Sequence, residues 1–379
     1  MITICDVARH AGVATSTVSY VLTGKRPISA ATRSRVLESI RVLGYHPHAG
    51  ARGSATSRTN VVALAVPLRE GVYVPVLMRM VTAAVTAARR HGLNVLLMTA
   101  DQGVDGLRGV AGSAQADGFL VLDVEMNDER VPLLRQLAQP SVLIGQPATT
   151  AGLTCVDFDF EAAGAACVEH LADAGHRYIG FLGAPTPVYQ RRTGFAHRAM
   201  VGFSAAAMRR GITSTIMPTA GDHHSVLKAV QALFRVHPST TALVVHNEAA
   251  LGWVGAGLRS LGRKVPEDVA VIAICPDGLA EQASPSFTSI RLPAEELGRR
   301  AVELLVAKLN GQTVPSLTLL EPELAERAST AGVPGRMLAR RANPAVNPER
   351  VTAGRRPSRS GAGTRTLPPT PPVVPAPRT

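Results

Sequence analysis

The spacing of apolar residues along the chain changes near residue 60. Before this point, apolar positions recur at helical intervals within three short segments, about residues 4–11, 15–22 and 29–43, and turn residues separate them. After it, short runs of Val, Leu and Ile alternate with longer amphipathic segments, a pattern typical of parallel βαβ units. The sequence therefore predicts a small all-α domain followed by an α/β core.

The α/β core is predicted to form two doubly wound lobes, because so many strand-to-helix crossovers fit two sheets better than one. Predicted strands cover residues 61–66, 94–98, 118–122, 141–144, 178–182, 242–245 and 269–274, and predicted helices cover 76–91, 162–174, 248–261 and 294–309. Ligands of such sheets bind beyond the carboxyl ends of the strands. A cleft between the lobes is therefore the expected site for a small molecule.

The first two helical segments have the pattern of a helix-turn-helix. Thr3 is suited to cap the first helix, with Asp6 in its first turn, and Gly12 allows the chain to turn sharply into the second. Ser16 and Tyr20 lie four residues apart and share the outer face of the second helix. The residues expected to pack inward are Val7, Ala8, Ala11, Val18 and Leu22.

Polar residues on the outer face of this module are candidates for DNA contact. Thr15 and Ser16 carry hydroxyls near the start of the second helix, and Arg26 follows its end, within reach of a guanine edge or a phosphate. An ordinary αα-hairpin with an exposed polar face fits the same spacing. The full set of predicted DNA-contacting residues is Thr15, Ser16, Thr17, Tyr20, Arg26, Arg35, Arg52 and Ser54.

Charge is distributed unevenly along the chain. Residues 1–60 carry eight Lys or Arg against two Asp or Glu, whereas residues 61–330 carry 23 against 25. A basic module attached to a nearly neutral body indicates contact with nucleic acid. Residues 331–379 are also basic, but they are rich in Pro, Arg, Ser, Gly and Thr. Their composition favours a disordered tail with nonspecific DNA affinity over the alternative, a PxxP docking ligand.

The sequence lacks the signals that are typical of several other classes of protein. No apolar run approaches the roughly 20 residues of a membrane span, and charged residues interrupt the N-terminus too early for a signal peptide, so a cytoplasmic protein is expected. The four cysteines have no zinc-ligand spacing, and we predict no metal, no cofactor and no catalytic residue. GxxxxGK[ST], GxSxG and HExxH motifs are absent, which argues against an enzyme on the α/β core. A solute-binding protein, which the α/β core taken alone would fit, is the other alternative to a DNA-binding protein.

Motifs across residues 3–330 match those of one known family. In the N-terminal module they are Asp6-Val-Ala, Ala11-Gly-Val, Thr17-Val-Ser, Val21-Leu, Thr32-Arg, Arg35-Val-Leu, Leu43-Gly-Tyr-His-Pro and Ala51-Arg. In the core they include Asp117-Gly, Glu169-His-Leu, Gly175-His-Arg, Val265-Pro-Glu-Asp-Val and Leu292-Pro-Ala-Glu-Glu-Leu-Gly-Arg. With these segments the chain resembles the lactose and galactose repressor (LacI/GalR) family.

The resemblance implies a transcriptional regulator, expected to be a repressor, whose homodimer binds a palindromic DNA operator. It implies a helix-turn-helix domain at residues 1–47, a hinge at 48–60 and an effector-binding and dimerisation core at 61–330, similar to periplasmic sugar-binding proteins, before the tail at 331–379. The family hinge usually inserts a Leu into the minor groove, whereas Ser54 stands at that position here. Gly50 and Gly53 predict a hinge that is costly to order, with Arg52 as a phosphate or minor-groove contact.

By the same resemblance, the effector pocket draws on loops after several strands of both lobes. The predicted effector-binding residues are Tyr73, Gln146, Asp159, Arg198, Asn247 and Asp277. Asp277 is displaced, because Ile274-Cys275-Pro276-Asp277 stands where the family has an aromatic residue followed by two Asp. A small-molecule effector is therefore expected, with a sugar as one candidate.

Overall fold

The structure is a computed structural model and describes residues 3–23, 26–43, 45, 58–99 and 103–331 of the chain. The predicted DNA contacts Arg52 and Ser54 lie outside these residues, as do Gly50, Gly53 and nearly all of the predicted tail. The described residues comprise the N-terminal helices and the α/β core.

Three helices form the N-terminal domain, namely α1 (Ile4–Ala11), α2 (Thr15–Thr23) and α3 (Ala30–Leu43). Thr3 and Asp6 cap α1 reciprocally, because the Thr3 amide donates to the Asp6 carboxylate at 2.9 Å while the Asp6 amide donates to Thr3 Oγ1 at 3.4 Å. Gly12 ends α1 with a φ of 63°, a left-handed conformation that favours glycine. These two signals fix where α1 begins and ends, as the sequence predicts.

The three helices enclose a small apolar core. Its buried members are Val7, Ala8, Ala11, Val18, Val21, Val36 and Tyr45. The prediction that Leu22 packs inward is wrong, because Leu22 is 38% exposed and Val21 is buried instead. Residues three apart share a helix face as well as residues four apart do, so Val18 pairs with Val21 on the inner side of α2.

The core contains two β-sheets. In order along the sheet, the first consists of β11 (Leu317–Leu320), β5 (Cys155–Phe158), β4 (Ser141–Ile144), β3 (Gly118–Val121), β1 (Val61–Ala65) and β2 (Asn94–Met98), all parallel. The second consists of β12 (Leu324–Ala325), β10 (Thr288–Arg291), β9 (Ala270–Cys275), β8 (Ala242–Val245), β6 (Tyr178–Gly183) and β7 (Thr213–Pro218). Only β12, on the edge of this second sheet, is antiparallel to its neighbour.

Helices cover the two sheets. They are α4 (Val74–Arg90), α5 (Gly103–Gly112), α6 (Val131–Gln136), α7 (Phe160–Asp173), α8 (Thr186–Gln190), α9 (Gly194–Arg209), α10 (His223–Val236), α11 (Leu251–Ser260), α12 (Asp277–Glu281) and α13 (Ala294–Leu309). Alternate residues of β1 enter two different apolar clusters, which shows that both faces of this strand are buried. Within the part of the chain that the structure describes, no helix is both long and apolar enough to cross a membrane.

The chain passes between the two lobes three times. It leaves the first sheet after β5, returns to it between β10 and α13, and leaves it again between β11 and β12. The first lobe therefore combines residues 61–158 with α13 and β11. Because the strands other than β12 are parallel, their carboxyl ends lie at one edge of each sheet, where ligands of such sheets bind.

Two pairs of helices approach closely at glycines. A Cβ placed on Gly202 of α9 would lie 1.9 Å from the main-chain oxygen of Glu161 in α7. A Cβ on Gly298 of α13 would lie 2.2 Å from the main-chain oxygen of Met80 in α4. Both separations are far below van der Waals contact, so the absence of a side chain at each glycine determines how closely its helix packs.

Candidate nucleic-acid interface and effector cleft

The outer face of α2 presents hydroxyl groups beside an arginine. Thr15 and Ser16 are exposed at the start of the helix, and Tyr20 lies one turn further along, half-buried. The Arg26 guanidinium lies over the Tyr20 ring, 5.3 Å from its centroid. Thr17 is half-buried beside this face. The structure thus brings the predicted residues of α2 together with Arg26, while the opposite side of the helix packs against the core.

The positive charge of the N-terminal helices is concentrated on a few arginines. The acidic residues of this segment, Asp6 and Glu38, each pair with an arginine one turn away on their own helix. The pKa of the Asp6 carboxyl is lowered by the hydrogen bonds from Thr3 and by the Arg9 charge. Exposed arginines remain available for an external anion, and these are Arg26, Arg33 and Arg35.

A partly buried hydrogen bond links α3 to α1. The His10 Nδ1 atom lies 3.0 Å from Ser39 Oγ, and Ser39 Oγ donates to the main-chain oxygen of Arg35 at 2.8 Å. Ser39 is buried although it is polar, because both bonds satisfy its hydroxyl. The exposed side chain of Arg35 therefore projects from a helix whose position relative to α1 is fixed.

A cleft lies at the carboxyl ends of strands from both sheets. It contains about 820 Å³ of empty space, including its open mouth. Its walls are largely aliphatic and aromatic, and include Tyr73, Val76, Leu122, Phe160, Phe195 and Leu292. Three acidic side chains complete the lining, namely Asp123 after β3, Asp157 in β5 and Glu248 after β8. This placement agrees with the site predicted from the doubly wound architecture.

The acidic groups of the cleft are poorly solvated. Burial raises the pKa of Asp157 to about 7, against the opposing effects of the Phe158 amide and the Arg198 charge. Burial likewise raises the pKa of Glu248 to about 7. The pKa of Asp123 is also raised by burial, although Arg69 lies 3.7 Å away and opposes the shift. The described residues contain no cluster of His, Cys, Asp and Glu that could hold a metal ion.

Comparisons with known proteins agree with this architecture. Residues 3–48 match the model of bacterial regulatory proteins of the lacI family, and residues 168–330 match a periplasmic binding protein-like domain. Catabolite control protein A of Priestia megaterium is 30% identical over 340 residues, which cover 87% of this chain and 99% of that protein. The transcriptional regulator CelR of Thermobifida fusca is 31% identical over 333 residues, covering 85% and 96%.

The chain belongs to the LacI family of bacterial regulatory proteins. A solved structure of a CelR–cellobiose complex superposes with a TM-score of 0.63 at 28% identity, covering 87% of this chain and all of that one. The resemblance, the fold class and the function of a DNA-binding transcriptional regulator predicted from the sequence are confirmed. Because its relatives in the LacI family are regulators, the α/β core is not that of an enzyme.

Within this LacI-family core, one of the six predicted effector residues lines the cleft. Tyr73 precedes α4 and contributes to the wall. Asp159 caps α7, where its carboxylate accepts from the Ala162 amide at 2.9 Å. Arg198 donates to the main-chain oxygens of Gln146 and Pro147 at 2.6 and 3.1 Å, so its guanidinium is engaged by the β4–β5 loop. The binding roles of these residues remain predictions.

The last two predicted effector residues are also engaged within the protein. Asn247 Nδ2 donates to the main-chain oxygen of Thr219 at 2.7 Å, and its Oδ1 accepts from the Ala249 amide at 3.1 Å. Asp277 pairs with Arg327 and, at 3.3 Å, with Arg291. Sequence reasoning missed Asp123, Asp157 and Glu248 as cleft residues. For Asp123 and Glu248 the available signal is an acidic residue just after the carboxyl end of a predicted strand, whereas the strand that carries Asp157 was itself not predicted.

Proposed function

We propose that this regulator binds a palindromic operator as a homodimer in the cytoplasm and represses transcription until a small molecule in the cleft changes its operator affinity. The observation that carries the proposal is the outer face of α2, where exposed hydroxyls lie beside Arg26 on a helix whose other face is buried. A helix so oriented fits the major groove, where hydroxyl and guanidinium groups meet base edges and phosphates.

Charge on the N-terminal helices supports the DNA-binding part of the proposal. Asp6 and Glu38 are paired internally, so Arg26, Arg33 and Arg35 contribute an uncompensated positive surface. Phosphate contacts by such residues release counterions and give both affinity and salt dependence. A two-fold symmetric dimer repeats this surface at a fixed spacing, which a palindromic operator matches.

The relative CelR supports the small-molecule part of the proposal, because its solved complex contains cellobiose. The cleft of the present chain lies where doubly wound sheets bind ligands, and its walls come from both lobes. A molecule held there contacts both lobes at once. Its binding therefore biases the relative position of the lobes, which is the physical requirement for a ligand-controlled regulator.

Selection of duplexes from a random DNA pool by the full chain tests the DNA-binding proposal directly. Enrichment of a palindrome at about 0.15 M salt is expected, since specific sites bind about 10³-fold or more tightly than random DNA. Enrichment of a single half-site would show that the protein reads DNA as a monomer. A pool that stays random would refute operator recognition by this chain.

Two substitutions in the N-terminal domain are expected to have different effects. Tyr20→Ala removes a side chain from the base-reading face, so the preferred bases of the operator change. Arg35→Ala removes a charge and lowers affinity for every sequence about equally, and it reduces the slope of log affinity against log salt by about 1. Arg108→Ala, an exposed arginine of α5, is the control and leaves the slope unchanged. Equal effects of the first two substitutions would contradict the assignment of the base-reading face.

A further inference from the structure

The cleft combines apolar walls with acidic side chains from both lobes. Asp157 is 4% exposed and lines the cavity. Its Oδ1 atom accepts from the Phe158 amide at 2.9 Å, whereas its Oδ2 atom has no hydrogen-bond partner within the described residues. An unpaired carboxylate oxygen in an apolar cavity is unfavourable unless a ligand supplies a donor.

Glu248 presents a second acidic group to the same cavity. It begins the short 3₁₀ turn Glu248–Ala250 that follows β8, so it belongs to the second lobe, whereas Asp157 belongs to the first. Burial raises the pKa of Glu248 to about 7, and within the described part of the chain its own main-chain amide is the group that opposes this shift. A ligand that contacts both carboxylates would therefore join the two lobes.

Asp123 differs from the other two because arginines surround it. Arg69 approaches its carboxylate to 3.7 Å, and the charges of Arg191 and Arg130 also act on it. The charge of Arg198 lowers the pKa of Asp157, but the Arg198 guanidinium donates to two main-chain oxygens instead. Among the described residues, Asp157 and Glu248 are thus the acidic residues of the cleft that form no ion pair.

The other residues that line the cleft indicate what would surround a ligand group that donates to these two carboxylates. No Lys, Arg or His belongs to the lining among the described residues, while Tyr73, Phe160 and Phe195 contribute aromatic rings. Aliphatic side chains from α4, from the segment that follows β3, and from β4 and α13 complete the wall. Aromatic rings attract a cation through their faces, and aliphatic walls favour an apolar molecule.

We propose that the effector is a small, mainly apolar organic amine whose cationic nitrogen binds between the carboxylates of Asp157 and Glu248. This proposal rests on the cleft being the effector site of the proposed function. An anionic ligand would meet the carboxylates of Asp157 and Glu248, and no Lys, Arg or His among the described residues lines the cleft to offset them. A sugar would place most of its hydroxyls against aliphatic walls, where they lose their hydrogen bonds to water. A bound cation, in contrast, stabilises the ionised carboxylates that burial disfavours.

A matched series of compounds tests the charge preference of the cleft. Benzylamine, benzyl alcohol and benzoate share one ring and differ in charge, and cellobiose represents a sugar. Calorimetric titration into the full chain is expected to show benzylamine binding most tightly, with a Kd of about millimolar for so small a probe. Benzyl alcohol should bind more weakly, and neither benzoate nor cellobiose should bind measurably.

Isosteric neutral variants test where the amine binds. Asp157→Asn combined with Glu248→Gln keeps the shape of the cavity and removes both charges, so benzylamine affinity falls about tenfold or more while benzyl alcohol affinity changes little. Asp105→Asn, whose side chain is 88% exposed on α5, is the matched control and retains the benzylamine affinity. Thermal unfolding of each variant without ligand shows whether the fold is intact.

The outcomes separate this proposal from the proposed function. Tighter binding of benzoate or cellobiose than of benzylamine, no measurable binding of benzylamine, or equal benzylamine affinity in the double variant, overturns the amine proposal. Palindrome enrichment by the same preparation would then still support operator recognition. Conversely, charge-dependent benzylamine binding without an enriched palindrome would support the amine proposal and refute the regulatory role in its present form.

Discussion

Gly202→Ala is expected to destabilise the core by about 3 kcal/mol or more, because the added methyl group meets the backbone of a neighbouring helix. Its Cβ would lie 1.9 Å from the main-chain oxygen of Glu161, and a backbone atom cannot move aside as the end of a flexible side chain does. Helices α7 and α9 would have to separate, which exposes apolar surface between them. Urea unfolding of the full chain measures the change in the free energy of unfolding.

The same substitution at Gly252 is the matched control for this prediction. Gly252 also lies within a helix, and a Cβ there would have no atom within 4 Å. Alanine in an open helical position stabilises by about 1 kcal/mol, since it restricts the unfolded chain. The two variants should therefore change stability in opposite directions, and a similar stability for both would show that α7 and α9 do not pack as closely as described.

Arg130→Met is expected to lower the free energy of unfolding by about 3 to 5 kcal/mol, because it leaves a buried carboxylate without its cation. Arg130 is 3% exposed, and its Nε and Nη2 atoms donate to the Asp128 carboxylate at 2.8 and 2.6 Å. Nη2 also donates to the main-chain oxygen of Leu122, which follows β3. The guanidinium thus ties the loop beside the cleft to the end of a strand. Urea unfolding at pH 7 measures the loss.

Two further variants serve as comparisons for Arg130→Met. Arg108→Met breaks an exposed ion pair with Asp105 and should change stability by less than about 1 kcal/mol. The double variant that adds Asp128→Leu to Arg130→Met also removes the unpaired carboxylate. It should recover part of the loss in the free energy of unfolding. Equal losses for Arg130→Met and Arg108→Met would contradict a buried ion pair.

The same ion pair has a defined dependence on pH. Burial alone would raise the pKa of Asp128, but the bonds from Arg130 outweigh burial and hold this pKa below its ordinary value. A carboxyl with a lowered pKa in the folded state contributes stability above its unfolded pKa of about 4, and this contribution is lost as the pH falls through the folded pKa. The difference in stability between the native chain and Arg130→Met should therefore shrink in acid.

Local signals made the N-terminal helices predictable, whereas several strands were missed. Thr3 and Gly12 determine the ends of α1 through their own backbone and side-chain chemistry, so no distant contact is needed. In contrast, β5 is four residues long and is followed at once by Asp159, which caps α7, so no turn separates strand from helix. At the edges of the sheets, β11 and β7 are partly exposed and lack continuous apolar runs. Their place depends on neighbours that are distant in sequence.

The sequence predicted the position of the cleft better than it predicted the side chains that line the cleft. The carboxyl ends of parallel strands locate a ligand site in any doubly wound sheet, which requires only the order of elements. Which polar groups remain free depends on partners far along the chain. Asp277 is paired with Arg327, fifty residues later, whereas Asp157 keeps one oxygen unpaired. Nothing in the spacing of acidic residues distinguishes these two situations.

The three passages of the chain between the lobes limit how a bound molecule can act. Three connections hold the lobes together, so we expect any change in the opening of the cleft to be a rotation of the lobes about these connections rather than a separation. A molecule that alters operator affinity through this motion must have its own affinity altered by the operator, and by the same factor. The ratio of the ligand affinities of the free protein and of its operator complex should therefore equal the ratio of the operator affinities measured without and with the ligand. Both ratios report the same coupling free energy.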